Sequence, residues 1–158
     1  MNKLLNQLET SLKDGKFCMT AELVPALTTN QNAILEEVEP VQGLVDAVNI
    51  TDGAAAKTTM SSFAAATILA TNNIEPVLQL TCRDRNRIAL CADLIGSAAF
   101  GISNLLPLTG DDPANGDQPD AKSVHDINSA ELINFCTSNI ASNATGACLK
   151  CHQNHEKV

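Results

Sequence analysis

Strand and helix alternate four times after one leading helix, which predicts a parallel α/β protein with crossover connections. Two further observations point the same way. Strand ends fall near Glu22, Thr51, Thr81 and Thr109, a spacing of roughly 28–30 residues, close to one βα unit. Apolar runs such as 76–80 are nearly continuous, as strands buried on both faces require. Polar, chemically able groups stand where each apolar run stops, the place where parallel α/β enzymes keep their active sites.

Leu4, Leu5, Leu8 and Leu12 share one helical face, and Gly15 is a stop signal. The run 17–24 reads as a strand ending against Pro25. A helix from about Asn32 carries Ile34, Leu35 and Val38, and Pro40 ends or kinks it. The run 44–50 is the second strand, followed by the loop Thr51-Asp52-Gly53. Segment 59–71 is a helix whose small residues permit close packing on a sheet. Strand 76–82, helix 87–100 and strand 102–109 follow. A long polar loop over 110–128 leads to a shorter helix at 129–136.

A complete (β/α)₈ barrel takes about 250 residues, and four units are half of one. The alternatives are a small open sheet and a half barrel. No GxGxxG follows the first strand and no GxxxxGK[ST] occurs, so the two commonest open-sheet nucleotide fingerprints are missing. This favours a TIM-barrel type of fold with about four βα units over residues 1–137. Residues 138–158 have no clear period and read as an atypical, loose tail.

The 158 residues are 44% apolar and 18% charged, enough for one domain with a real core. No apolar run approaches the ~18 residues of a membrane span, and the N-terminus mixes charges into its leucines, unlike an export signal. A soluble cytoplasmic protein with reduced cysteines is expected. A net charge of −8 argues against nucleic-acid binding, and the absence of Trp and Tyr removes the usual base-stacking platforms.

Several residues could carry chemistry. Glu22 sits at the end of the first strand; an acid enclosed by apolar neighbours holds its proton toward neutrality. The plainer reading is a solvated or salt-bridged strand-end Glu. Asp111 and Asp112 follow Gly110, which allows close approach of backbone to a ligand; the plainer reading is a turn with an acidic cap. Arg83, Arg85 and Arg87 are the only arginines. They could attract a phosphate, or pair locally with Asp84 and Asp93. His125 reads as a surface loop residue. Cys148, Cys151 and His152 match CxxCH, and His155 could complete a zinc set. The first use needs export and the second a folded frame, so chance is the better account.

The motifs coincide with those of one family. Thr20-Ala-Glu22-Leu-Val-Pro25, Asn49-Ile-Thr51-Asp-Gly53, Gln79-Leu-Thr-Cys82-Arg-Asp-Arg-Asn-Arg87 and Leu108-Thr-Gly110-Asp111-Asp-Pro113 occur in order after strands one to four. Gly116-Asp-Gln-Pro119 and Asp126 follow. Over about residues 15–137 the chain resembles the methylenetetrahydrofolate reductase family, flavin-dependent enzymes of one-carbon metabolism and methionine biosynthesis.

The resemblance implies a (β/α)₈ barrel with FAD at the C-terminal ends of its strands. It also implies reduction of 5,10-methylenetetrahydrofolate to 5-methyltetrahydrofolate with NAD(P)H. By the same resemblance Glu22 is the general acid that helps open the five-membered folate ring to an iminium. Asp111 is the acid near flavin and pterin, and Thr51, Gln79, Thr109 and Gly110 line the FAD. Gln79 stands where some relatives have His. Strands five to eight of the family are not in the sequence. The expectation is therefore a truncated reading frame, with a fragment inactive alone as the alternative, whose open edge needs a second copy or a complementary chain.

Overall fold

The computed structural model describes residues 7–139 of the chain. Its elements run α1 (Gln7–Lys13), β1 (Thr20–Leu23), α2 (Gln31–Val38), β2 (Ala47–Ile50), α3 (Ser62–Thr71), β3 (Pro76–Thr81), α4 (Arg87–Ala99), β4 (Asn104–Leu108) and α5 (Ser129–Asn139). Every strand pair is parallel, and the sheet order is β1-β2-β3-β4. A sheet that grows in one direction without a switch point is compatible with part of a TIM barrel.

The period-2 alternation of the strands separates two faces. Leu23, Val48, Ile50, Leu78 and Leu80 share one core cluster with Ile34 and Val38 of α2, Ala65, Ala66 and Leu69 of α3, Leu90 and Leu94 of α4, and Leu132 of α5. Helices α2 to α5 therefore lie on one face. Strand register places Glu22, Asn49 and Val77 side by side on the opposite face, with Gln79 beside Leu106 one level higher. That second face is not covered by a helix among the described residues, and Leu106 is 40% exposed.

Local chemistry fixes the helices. Asn30 caps α2 by accepting from the Asn32 N–H at 3.0 Å, and Pro40 falls in the 3₁₀ turn Glu39–Val41 that ends it. Ser61 caps α3 through the Ala64 N–H at 3.2 Å, and Asn86 caps α4 through the Ala89 N–H at 3.1 Å. α3 is apolar on nearly all sides, and it packs closely on β3.

The first two strands are shorter than their apolar runs. Phe17 is 89% exposed and Leu44 is 70% exposed. The reason is Asp46, which accepts from the Met19 N–H at 2.8 Å and so fixes the point where β1 and β2 begin to pair. The helix expected from residue 59 starts at Ser62, behind its Ser61 cap. Leu4, Leu5 and the Cys148–His155 set lie outside the described residues.

α1 lies across the N-terminal ends of the strands. The buried Glu75 carboxylate accepts from the Gln7 N–H at 2.5 Å, the Leu8 N–H at 3.1 Å and Asn104 Nδ2 at 2.8 Å. Ser11 Oγ donates to Asp46 Oδ1 at 3.1 Å. This end of the sheet is occupied, and the C-terminal ends are left for a site.

Leu78 is fully buried at the centre of β3. Leu78→Ala is expected to lower unfolding free energy by about 2–5 kcal/mol in urea titration. A loss below about 1 kcal/mol would mean that the helix-covered face is not the folding core.

Candidate functional site at the C-terminal ends of the strands

Each strand hands over to a polar loop, and these loops are joined to one another by buried charges. Asp52 follows Thr51 at the end of β2. Its Oδ2 accepts from the Thr81 N–H at 2.8 Å and from Arg85 Nη1 at 2.6 Å, and its Oδ1 accepts from Arg85 Nη2 at 3.2 Å. Thr81 Oγ1 donates to the Asp52 carbonyl at 3.0 Å. Arg85 Nε reaches Asp93 on α4 at 2.9 Å. Loop β2–α3, strand β3 and helix α4 are thereby tied through one guanidinium.

Burial alone would push the Asp52 carboxyl upward, but the hydrogen bonds and charge of Arg85 outweigh it, and the group lies below the usual carboxylate range. Burial lowers the Arg85 guanidinium, and Asp52 more than restores it. Asp93 is raised by its own burial, with the Asp52 charge adding to the effect against Arg85.

Arg83 is the second link, with only 5% of its surface exposed. Nε and Nη2 form a fork with Asp84 at 2.8 and 2.7 Å. Nη1 donates to the carbonyls of Gly53 and Asp111, both at 3.3 Å. Gly53 and Gly110 have φ of +60° and +101°. A Cβ on Gly53 would stand 2.6 Å from Arg83 Nη2, and one on Gly110 would stand 2.4 Å from Thr81 Cγ2 and 2.8 Å from Arg83 Cβ. Gly110 thus permits a close approach to Thr81 and Arg83 within the protein.

The loop after β4 then grips the loop after β2. Asp111 Oδ2 accepts from the Ala55 N–H at 2.9 Å. Ala55 and Ala56 are both left-handed, at φ 53° and 55°, an arrangement that costs energy for residues with a Cβ. Asp117 accepts from the Thr58 N–H at 2.9 Å and from Thr58 Oγ1 at 3.2 Å. Asp126 accepts from Arg87 N–H at 3.0 Å and Nε at 2.8 Å. All three arginines are therefore engaged with carboxylates, and the local pairing with Asp84 and Asp93 is observed for Arg83 and Arg85.

Thr51 is buried just past the end of β2, and Gln79 is buried two residues before the end of β3. Register continued by one residue from Ile50 and Leu78 sets them beside each other. Thr51 Oγ1 is buried and makes no hydrogen bond. Thr109 Oγ1 meets Ser129 Oγ at 3.0 Å. Asp112 caps the 3₁₀ turn Pro113–Asn115 by accepting from the Ala114 N–H at 2.9 Å, the plainer of its two readings. His125 is exposed in the loop, at φ 41°.

Glu22 stands on the helix-free face of β1 and is exposed. The apolar enclosure expected for it is not found, because β1 is an edge strand and this face is uncovered among the described residues. A cavity of about 280 Å³ opens between the loops after β2 and β4. It is lined by Asp52, Gly53, Lys57, Thr58, Arg83 and Asp117, among others, and by none of Glu22, Thr51, Gln79, Thr109, Gly110 and Asp111. Asp52 and Arg83 are the builders of this region that the sequence reading did not assign as site residues. One signal was available: Asp52-Gly53 after strand two mirrors Gly110-Asp111 after strand four.

The family model described as methylenetetrahydrofolate reductase matches residues 7–150. The chain belongs to that family. Membership suggests folate-related reductase activity, an oxidoreductase chemistry of one-carbon metabolism, in a family that generally binds FAD. The match extends past both ends of the motif-bearing stretch. No curated protein matches the chain. No helix among the described residues is long and apolar enough to cross a membrane.

Arg85→Gln is expected to cost about 3–5 kcal/mol at pH 7, because it leaves the Asp52 carboxylate buried and unpaired. The sign of the pH dependence follows from the lowered Asp52 value. In the parent, the Asp52 contribution is present above the unfolded carboxyl value near 3.9 and is lost as pH falls through the folded one. In the variant, burial acts without its counterweight, so the penalty fades as Asp52 takes a proton. Urea unfolding of both proteins between pH 7 and pH 4 should show the gap narrowing; a constant gap would contradict the pairing.

Proposed function

We propose that this chain carries the N-terminal half of a flavin-dependent methylenetetrahydrofolate reductase barrel. In this reading residues 1–137 form four βα units of a (β/α)₈ barrel, and residues 138–158 lie outside that half. The reaction is reduction of 5,10-methylenetetrahydrofolate to 5-methyltetrahydrofolate by NADH or NADPH through FAD, in the cytoplasm, serving methionine biosynthesis. The observation that carries the reading is the placement of the family motifs. All four arrive at the C-terminal ends of one parallel, singly wound sheet.

The residues present fit a flavin at that rim. The buried Thr51 hydroxyl lacks a partner, and the Gln79 amide, the Thr109 hydroxyl and the Gly110 backbone offer further donors and acceptors. FAD when bound would take hydride from the nicotinamide and deliver it to the folate. Asp111, held through Oδ2 by the Ala55 N–H, would stand beside flavin and pterin as a fixed negative charge. Glu22 would act as general acid, passing a proton to the ring nitrogen that leaves as the five-membered ring opens to the iminium. The shielding this needs would come from the bound folate and from strands beyond the four described.

The exposed Glu22 and Leu106 on the helix-free face favour a second reading of how the chain works. Alone it would be inactive, and catalysis would require the remaining strands, from further chain, a second copy or a complementary protein.

Glu22→Gln, made in a form with the remaining strands present, is expected to keep the flavin absorption band. It should lower folate reduction by roughly 10²-fold or more. Reduction at the parental rate would overturn the role of Glu22, and a parent protein that neither turns yellow nor quenches added FAD would overturn the flavin reading.

A further inference from the structure

We propose that Arg83 is a positioning residue for the flavin edge, setting where the Asp111 carboxylate stands by locking the β2–α3 loop and the loop after β4 together. The proposal rests on the reading above only in taking Asp111 to lie at that edge.

Arg83 does more than neutralise a neighbour. The Asp84 pair uses Nε and Nη2, and Asp84 is half-exposed, so this pair anchors the guanidinium from outside. Nη1 is left to point at two carbonyls from different loops, Gly53 and Asp111. Both loops carry a glycine at the point of contact, and in each case a Cβ would stand within 3 Å of Arg83. The space around this side chain is shaped by two separate segments of sequence.

The consequence falls on Asp111. Its carbonyl is held by Arg83 and its Oδ2 by the Ala55 N–H, two residues beyond Gly53. The left-handed backbone at Ala55 and Ala56 is retained against its intrinsic preference, and the bond to Asp111 is what that conformation provides. The Arg83 carbonyl also accepts from the Val124 N–H at 2.7 Å, adding the far part of the same loop. A planar fork can serve both carbonyls and Asp84 at once; a lysine ammonium on a flexible stem cannot.

The test uses the full chain, ¹⁵N-labelled, as parent, Arg83→Lys and Asp84→Asn. Amide exchange is followed at Ala55 and at the core residue Leu78, and FAD binding is measured by fluorescence quenching. Arg83→Lys is expected to speed exchange at Ala55 about tenfold or more while changing Leu78 less than about twofold. The same variant is expected to weaken FAD binding by about tenfold. Unchanged protection at Ala55, or equal loss at Ala55 and Leu78, would overturn the proposal, the second because it marks a merely structural role. If Arg83→Lys does not fold, Asp84→Asn decides: faster exchange confined to Ala55 supports the proposal, and parental exchange overturns it. A parent that binds no FAD defeats the flavin reading alone, since the Ala55 contrast still decides the lock. A parent and Arg83→Lys that bind FAD equally would overturn the positioning claim and leave the flavin reading intact.

Discussion

The Asp52 carboxylate is buried, and the rest of the C-terminal rim depends on its pairing with Arg85. A carboxylate in that position without a counter-ion would carry a heavy desolvation cost. Arg85 and the Thr81 N–H remove it and in doing so fix the register between the ends of β2 and β3. Gly53 follows Asp52 directly and presents its carbonyl to Arg83. Arg83 passes the constraint to Asp111, and Asp111 returns it to Ala55 on the loop where it began. Three loops form one closed circuit of hydrogen bonds.

The two ends of the sheet are built for different purposes. At the N-terminal ends, Glu75 and Asp46 take the backbone N–H groups of α1 and of Met19, so polar groups there are used to close the structure. At the C-terminal ends the charges hold loops in place, while the Thr51 hydroxyl is left without a partner. Parallel βα folds usually keep stabilising contacts at the N-terminal ends of the strands and leave the C-terminal ends for chemistry. The helix-free face joins the two ends, and its mixture of Glu22, Asn49, Gln79 and Leu106 is more polar than the opposite, helix-covered face.

Much of this was legible in the sequence, for reasons that differ by element. β3 is a nearly continuous apolar run, interrupted by Gln79, and all six of its residues are buried, so its limits were read to within one residue. β1 and β2 were read too long, since Phe17 and Leu44 are as apolar as core residues but lie before the Asp46 contact that starts the pairing. The candidate residues Thr51, Gln79, Thr109, Gly110 and Asp111 are picked out by the resemblance to the family, and Thr51 and Thr109 also stand where apolar runs end. Their supports could not. Arg85 and Asp52 are 33 residues apart, and nothing local distinguishes that pair from the nearer Asp84 and Asp93. The need for Gly110 likewise comes from Thr81 and Arg83, which only the folded sheet brings against it.

The central claim is that a flavin occupies the C-terminal rim of this sheet. A ¹H–¹⁵N titration of the chain with FAD tests it most directly. The account predicts saturable shifts at Thr51–Ala55, Gln79–Thr81 and Thr109–Asp112, with the α1 contacts at Asp46 and Glu75 unmoved. Shifts clustered at Asp46 and Glu75, or a spectrum unchanged at high FAD concentration, would contradict it.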